Sequence, residues 1–396
     1  MPYALPHILA IGAVPLIVVV CLAAAGVLVP VVRARQRLGW EITTYLCVLV
    51  PLLAVGLSIW LARREGADFM GIWYVAGVLI LAVAGMGVLV GVMEFVIMRL
   101  LGLSQLGAIA RVTYYEGLLQ PFTQIILFAG VATIGLSARL AYFTYNEDFK
   151  MFRDVASSFV FLFSLPIMVF ASTKVIDEEI ENRTMLTLMS KPVSRTQVVV
   201  GKYLGVLMLI FVAVAMLGIM AGVCSYMRYF DDNTIDYSMA RGDPKEVARL
   251  NFENFKAVLA LFPSLVLTFL QVASLGAISV AISTRFGLAV NVTVVAVIYL
   301  AASLARYMSG APELRSIPVV PQLITFGSYI LPGLGSMDLN QRLVFSNFIL
   351  GDEWGPSLPT YGAIWKYVGT ATLYAFFYIS AILSFGVALF RSRELS

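Results

Sequence analysis

Nine apolar runs divide this chain, at residues 8–32, 42–61, 70–98, 121–136, 152–173, 198–220, 258–282, 288–305 and 367–390. A helix needs roughly 20 apolar residues to cross the hydrocarbon of a bilayer. In lipid, every backbone N–H and C=O must be satisfied inside the segment, so such runs cross as helices. The fourth run is short, and the third is long enough to span with tilt. Only 13% of the residues are charged and 60% are hydrophobic, whereas a soluble domain is about a quarter charged. The expected fold class is an all-α, polytopic integral membrane protein with about nine transmembrane helices.

The charges serve orientation. Arg33, Arg35 and Arg37 follow the first run, which places that end in the cytoplasm and the N-terminus on the extracytoplasmic side. Alternation then puts Arg99, Arg111, Arg285, Arg391 and Arg393 inside, so the C-terminus is expected to be cytoplasmic; Arg63-Arg64 falls outside, a mild violation. A net charge of +4 is too small for a nucleic-acid footprint. Cys21, Cys47 and Cys224 lie in or beside apolar runs, and His7 is the only histidine, so no metal, haem or disulfide framework is expected. No GxxxxGK[ST] stretch is present to cradle a phosphate, and no nucleophile–base constellation stands out. The chain is therefore expected to be no enzyme and to bind no cofactor itself. The opening MPYALPH lacks the basic region of a cleaved signal, so the first run is expected to stay in the membrane.

The most informative polar stretch is 174–204, KVIDEEIENRTMLTLMSKPVSRTQVVVGKYL, between the fifth and sixth runs. Asp177, Glu178, Glu179 and Glu181 crowd its first half. Lys191-Pro192 breaks any helix there, because proline lacks an N–H and restricts its predecessor. Ser194 and Gln197 have the spacing of a capping box, with Val193 and Val198 placed as its hydrophobic staple. Residues 105–120 alternate apolar and aromatic side chains with Arg111, Glu116 and Gln120, the pattern of an amphipathic helix lying in the cytoplasmic interface and ending at Pro121; a solvated loop with some helical bias is the alternative. In the loop 228–256, Asp243, Pro244 and Glu246 form a helix start. In the loop 309–366, the apolar piece 319–334 is too short to span; it is either re-entrant or a packed cap helix. Gln271 and Asn291 sit inside predicted spans, where bonds between helices are the expected role and a substrate path is the alternative.

The connector resembles that of ABC-2-type permeases, the membrane subunits of ABC exporters. Their pattern runs from acidic residues through Thr-Leu and Ser-Lys/Arg-Pro-Val-Ser-Arg to Gly-Lys-Tyr. It is matched here by Glu178, Glu179, Arg183, Thr184, Leu186, Leu188, Ser190, Lys191, Pro192, Val193, Ser194, Arg195, Gly201, Lys202 and Tyr203. Upstream, Ala110, Arg111, Val112 and Thr113 are similar to the family's elbow helix, so the resemblance covers about 103–396. Asn182-Arg183 stands where the family often has glycine, and the three N-terminal spans have no counterpart in a minimal permease.

The resemblance implies two regions: an N-terminal extension of about three spans, 1–101, and a permease domain, 102–396, of six helices preceded by the elbow helix. It implies that two permease subunits pair, as a homo- or heterodimer, in a lipid bilayer. A separate ATP-binding subunit, which carries the ATP, would dock through Asp177, Glu178, Glu179, Glu181, Arg183, Lys191, Pro192 and Arg195. Arg111, Thr113 and Glu116 would belong to the elbow helix. The implied setting is the cytoplasmic membrane of a bacterium. Two readings compete with an exporter permease. A secondary transporter would need ionisable groups deep in the spans, and no charged cavity is evident in them. A structural membrane subunit would use the extra spans as an anchor.

Overall fold

Ten helices make up the described part of the chain. They are α1 Gln105–Leu119, α2 Pro121–Ser137, α3 Asp148–Glu181, α4 Arg195–Asp232, α5 Thr234–Met239, α6 Pro244–Leu259, α7 Leu261–Ser283, α8 Leu288–Gly310, α9 Leu334–Met337 and α10 Tyr361–Arg391. The computed structural model describes residues 105–138, 140, 142, 148–181, 194–240, 243–310, 331–337 and 361–391. The first three apolar runs and the proposed boundary near residue 101 lie outside the described residues, as does most of 319–334.

Each of the six runs assigned to the permease falls on a helix. Proline sits at the first helical position of both α2 and α6, where its missing N–H would have no partner in any case. Asp243 caps α6 as expected, its side chain accepting from the N–H of Lys245 at 2.9 Å. Four described segments are long and apolar enough to cross a membrane: Asp148–Lys174, Arg195–Asp232, Lys245–Ser283 and Ile364–Phe390. The pair α1 and α2, bent by 63°, makes a fifth if counted as one broken span, and the apolar part of α8 is shorter. Among the described residues the count is thus four or five, and three of the nine expected spans lie outside those residues.

Polar sequence misled the loop boundaries. The sixth run stops near residue 220 by hydropathy, yet α4, 38 residues long in all, continues to Asp232. At about 1.5 Å per residue it is about 57 Å long, against about 30 Å of hydrocarbon. The expected loop 228–256 is largely the end of α4, α5 and α6. α6 then passes through Ala260 into α7.

The chain forms two compact units. The first includes residues 124–163 and 212–261. Its core contains Phe149, Tyr229 and Ala257. Asn254 is buried and donates to the Tyr226 carbonyl at 3.2 Å, tying α6 to α4. Arg228 gathers the ends of three segments. It pairs with Asp148 at 2.5 Å and Asp232 at 3.3 Å and donates to the Ala138 carbonyl at 3.2 Å. Asp232 also accepts from the Phe149 N–H at 2.7 Å. Beside them the Tyr142 hydroxyl donates to the Ser137 carbonyl, and burial pushes its phenol above the ordinary value.

The second unit includes 105–123, 164–211 and the described residues from 262 onward. Leu267 and Leu270 of α7, Met337 of α9, and Ile364, Val368, Ala371 and Ala375 of α10 form one of its cores. The Gln271 amide donates to the Leu334 carbonyl at 3.0 Å, and the Gly333 N–H donates to the Tyr374 hydroxyl at 3.1 Å. Gln271 is therefore a bond between segments, as expected. The described end of the 319–334 piece is packed against α7 and α10.

Candidate functional site

The connector begins on α3. That helix runs unbroken from its apolar span to Glu181, so the backbone of Asp177, Glu178, Glu179 and Glu181 forms its last turns. No basic residue accompanies them in the final turn. A helix C-terminus carries a partial negative charge, and each acid placed there costs about 0.3–1 kcal/mol at an exposed site. Arg183, Lys191 and Pro192 lie outside the described residues, as does Val193 of the expected staple.

The far side of the connector is fixed by local chemistry. The Gln197 N–H donates to Ser194 Oγ at 3.2 Å, and the Ser194 N–H donates to Gln197 Oε1 at 2.9 Å. This reciprocal pair is the expected capping box, and it satisfies two donors that helix geometry leaves without partners. Arg195, the first residue of α4, turns toward α10. Its Nη1 donates to the Phe390 carbonyl at 3.2 Å, and its guanidinium lies 5.7 Å from the centre of the Phe390 ring. The structure thus gives this expected docking residue an internal partner at the C-terminal end of α10.

The Gly201-Lys202-Tyr203 motif at the start of α4 has a separate use for each residue. A Cβ on Gly201 would lie 3.1 Å from Ile109 and from the Leu106 carbonyl of α1. Lys202 is buried. The Tyr203 hydroxyl donates to the Ala273 carbonyl of α7 at 3.2 Å. One turn on, a Cβ on Gly205 would meet the Ala110 carbonyl oxygen and the Thr113 Cβ, each at 2.5 Å. Gly201 and Gly205 therefore let the backbones of α4 and α1 touch, the standard use of small residues four apart in membrane helices.

The buried stripe of α1 is Gly107, Ala110, Thr113, Tyr114, Gly117 and Leu118. Val112 and Leu119, apolar residues of the same helix, lie off this stripe and are exposed. Small size decides this face: Thr113 is buried because it fits over Gly205. Arg111 lies over the Tyr115 ring at 5.8 Å, and Glu116 is exposed.

Above the end of α3, four side chains lock three helices together. Asn291 Nδ2 of α8 donates to Thr173 Oγ1 at 2.6 Å and to Ser279 Oγ at 2.8 Å, and Ser279 of α7 bonds Ser172 at 2.5 Å. Asn291 thus joins helices, as the sequence predicted. The base of α4 holds α1, α7 and α10, and the end of α3 holds α7 and α8. Each end of the connector is thus joined to a helix that is bonded to several others.

Sequence reasoning missed two features. The Gly201-x-x-x-Gly205 spacing was a readable signal for the α1–α4 contact. Arg153 lies inside the fifth apolar run and was given no role, although it is only 5% exposed.

These features define an all-helical membrane protein whose polar connector is carried on firmly seated helices. Residues 129–394 match the family model described as ABC-2 family transporter protein. That is well over half of the chain, and the chain belongs to this family. It is a permease of an ABC-type transporter and an integral membrane protein. The match begins inside α2, so α1 and everything before it lie outside the family model. The comparisons with curated proteins and with solved structures found no match.

Proposed function

We propose that this chain is the membrane half of an ATP-driven exporter, moved by a separate ATP-binding subunit docked on the 174–197 connector. The observation that carries this reading is the end of α3. Four acidic positions are mounted on an unbroken membrane helix, at the pole where acids are least favoured, with no basic residue in the last turn. Basic groups on a soluble partner would relieve that repulsion. Exposed ion pairs contribute little energy each, and their use is to set register. The capping box then gives α4 a defined starting point, so that a push on the connector moves α3 and α4 together.

In this reading two copies of the permease, or this chain and a related one, form the transport unit in the cytoplasmic membrane of a bacterium. The connector and C-terminus face the cytoplasm and the N-terminus the other side. ATP binds and is hydrolysed only on the partner. The region 1–101 is an extension to the six-helix permease domain 102–396.

The test is co-purification of an ATP-binding subunit with the detergent-solubilised full chain, and with the double variant Glu178→Lys, Glu179→Lys. The wild type is expected to bring down the subunit and the variant to lose most of it while keeping its own elution profile. Equal recovery by both proteins removes the acidic segment from the docking surface. No recovery with the wild type removes the motor-driven reading.

A further inference from the structure

Arg153 sits on α3, five residues from its first residue Asp148 and at the end opposite the connector. It is 5% exposed, and its Nε is buried without a hydrogen-bond partner among the described residues. Its guanidinium carbon lies 5.4 Å from the centre of the Phe149 ring. Asp148 and Asp232, which flank Phe149 in sequence and by hydrogen bond, both pair with Arg228. Phe149 stands between the two groups, donating its N–H to Asp232 while its ring meets both Arg153 and Tyr229.

Two more buried polar groups share this place. Ser157 lies one turn along α3 on the same face as Arg153, is 1% exposed, and its hydroxyl has no partner among the described residues. Ser225 of α4 is fully buried, and its hydroxyl likewise has no partner among them. α3 and α4 run antiparallel here, since Phe149 meets Tyr229 while Phe163 and Leu217 both close on Gly130. Four residues beyond Phe149 and four before Tyr229 are therefore level, which puts Ser225 at the height of Arg153.

An enclosed cation without a counter-charge is costly, and native proteins give buried polar groups partners. Arginine is also the side chain whose fork fits the paired oxygens of phosphate and carboxylate, and hydroxyls complete such sites. We propose that Arg153, with Ser157 and Ser225, binds the phosphate group of the molecule this permease moves, an amphipathic phosphate ester. The proposal rests on the transport reading for the word "moves", but the binding itself needs no ATP-binding subunit. Its failure is thus separable from failure of the co-purification above. The Phe149–Tyr229 wall beside the guanidinium suits the apolar part of such a molecule.

The experiment is equilibrium binding to the purified full chain in a neutral detergent, with three probes. These are a short-chain phosphatidic acid, the matching diacylglycerol, and inorganic phosphate. The phosphatidic acid is expected to bind and the diacylglycerol not to. Inorganic phosphate separates the sources: binding as tight as the lipid's would assign the site to free phosphate and overturn the amphipathic ester. Arg153→Gln should weaken phosphatidic acid binding tenfold or more, on the order expected for losing a charge-assisted pair of bonds. Ser157→Ala should weaken it less. A structural arginine predicts the opposite pattern, in which Arg153→Gln lowers the unfolding midpoint and leaves binding unchanged. The ligand site predicts an unfolding midpoint equal to or above that of the wild type, because the variant removes a buried cation that no carboxylate among the described residues is seen to pair. Unchanged binding in Arg153→Gln overturns the proposal, as does equal binding of the diacylglycerol.

Discussion

The two units hold their helices together with different chemistry. In the second, the fasteners are mostly small residues and neutral polar groups, Gly201 and Gly205 against α1 and Asn291 with Thr173, Ser279 and Ser172, and the cation Arg195 there holds a carbonyl and a ring. In the first, the fastener is ionic, with Arg228 holding Asp148 and Asp232, their side chains 12–18% exposed. The difference follows from what each place permits. Deep among apolar helices a charge is expensive and a hydroxyl or amide is not. Toward the helix ends, where charged chain is at hand, an ion pair can join segments that small residues would not bring into register. Arg153 stands out because it belongs to the first unit and yet takes no part in its ionic fastening.

This contrast can be broken at its strongest point first. Arg228→Ala leaves two half-enclosed carboxylates facing each other. The expected loss is about 3 kcal/mol of stability, read as a lower unfolding midpoint of the full chain in detergent. A loss below about 1 kcal/mol would mean that the pair behaves as a solvated surface bridge. The next effect is Gly205→Ala. Its new methyl meets a backbone oxygen, which cannot turn aside as a side chain does, and overpacking of this kind costs about 1–3 kcal/mol. Crosslinking between cysteines introduced at 109 and 201 should fall in parallel, because α1 must back away from α4. Asn291→Ala is the smallest. Bonds of this kind between membrane helices average about 0.6 kcal/mol, and two are lost, so a drop of about 1 kcal/mol is expected. A drop as large as that for Arg228→Ala would erase the distinction between the two modes of fastening.

Features decided within a few residues were legible in the sequence. The capping box at Ser194 and Gln197 and the cap at Asp243 depend on spacing alone, and both appear as expected. The role of Gln271 and Asn291 as bonds between helices was also legible, although not which partner each would find. Features decided by distant contacts were not. α4 persists past residue 220 because Tyr229, Arg228 and Asp232 are held by the start of α3, which hydropathy does not record. The buried stripe of α1 was not legible because the contact with α4 selects for small residues, which an apolar–polar pattern does not mark. Arg153 was hidden by averaging, since a single cation barely alters the character of a long apolar run.

Gly205 also bears on how freely the chain can vary. A Cβ built on Gly362 or Gly369 meets nothing within 4 Å, so many residue types fit at those places. At Gly205 even the smallest addition collides with the main chain of another helix. In a saturation library screened for folded protein, positions 362 and 369 would return a broad alphabet and position 205 a single letter. The abundance of glycine in this sequence therefore conceals two populations, one interchangeable and one fixed by a neighbour ninety residues away in the chain.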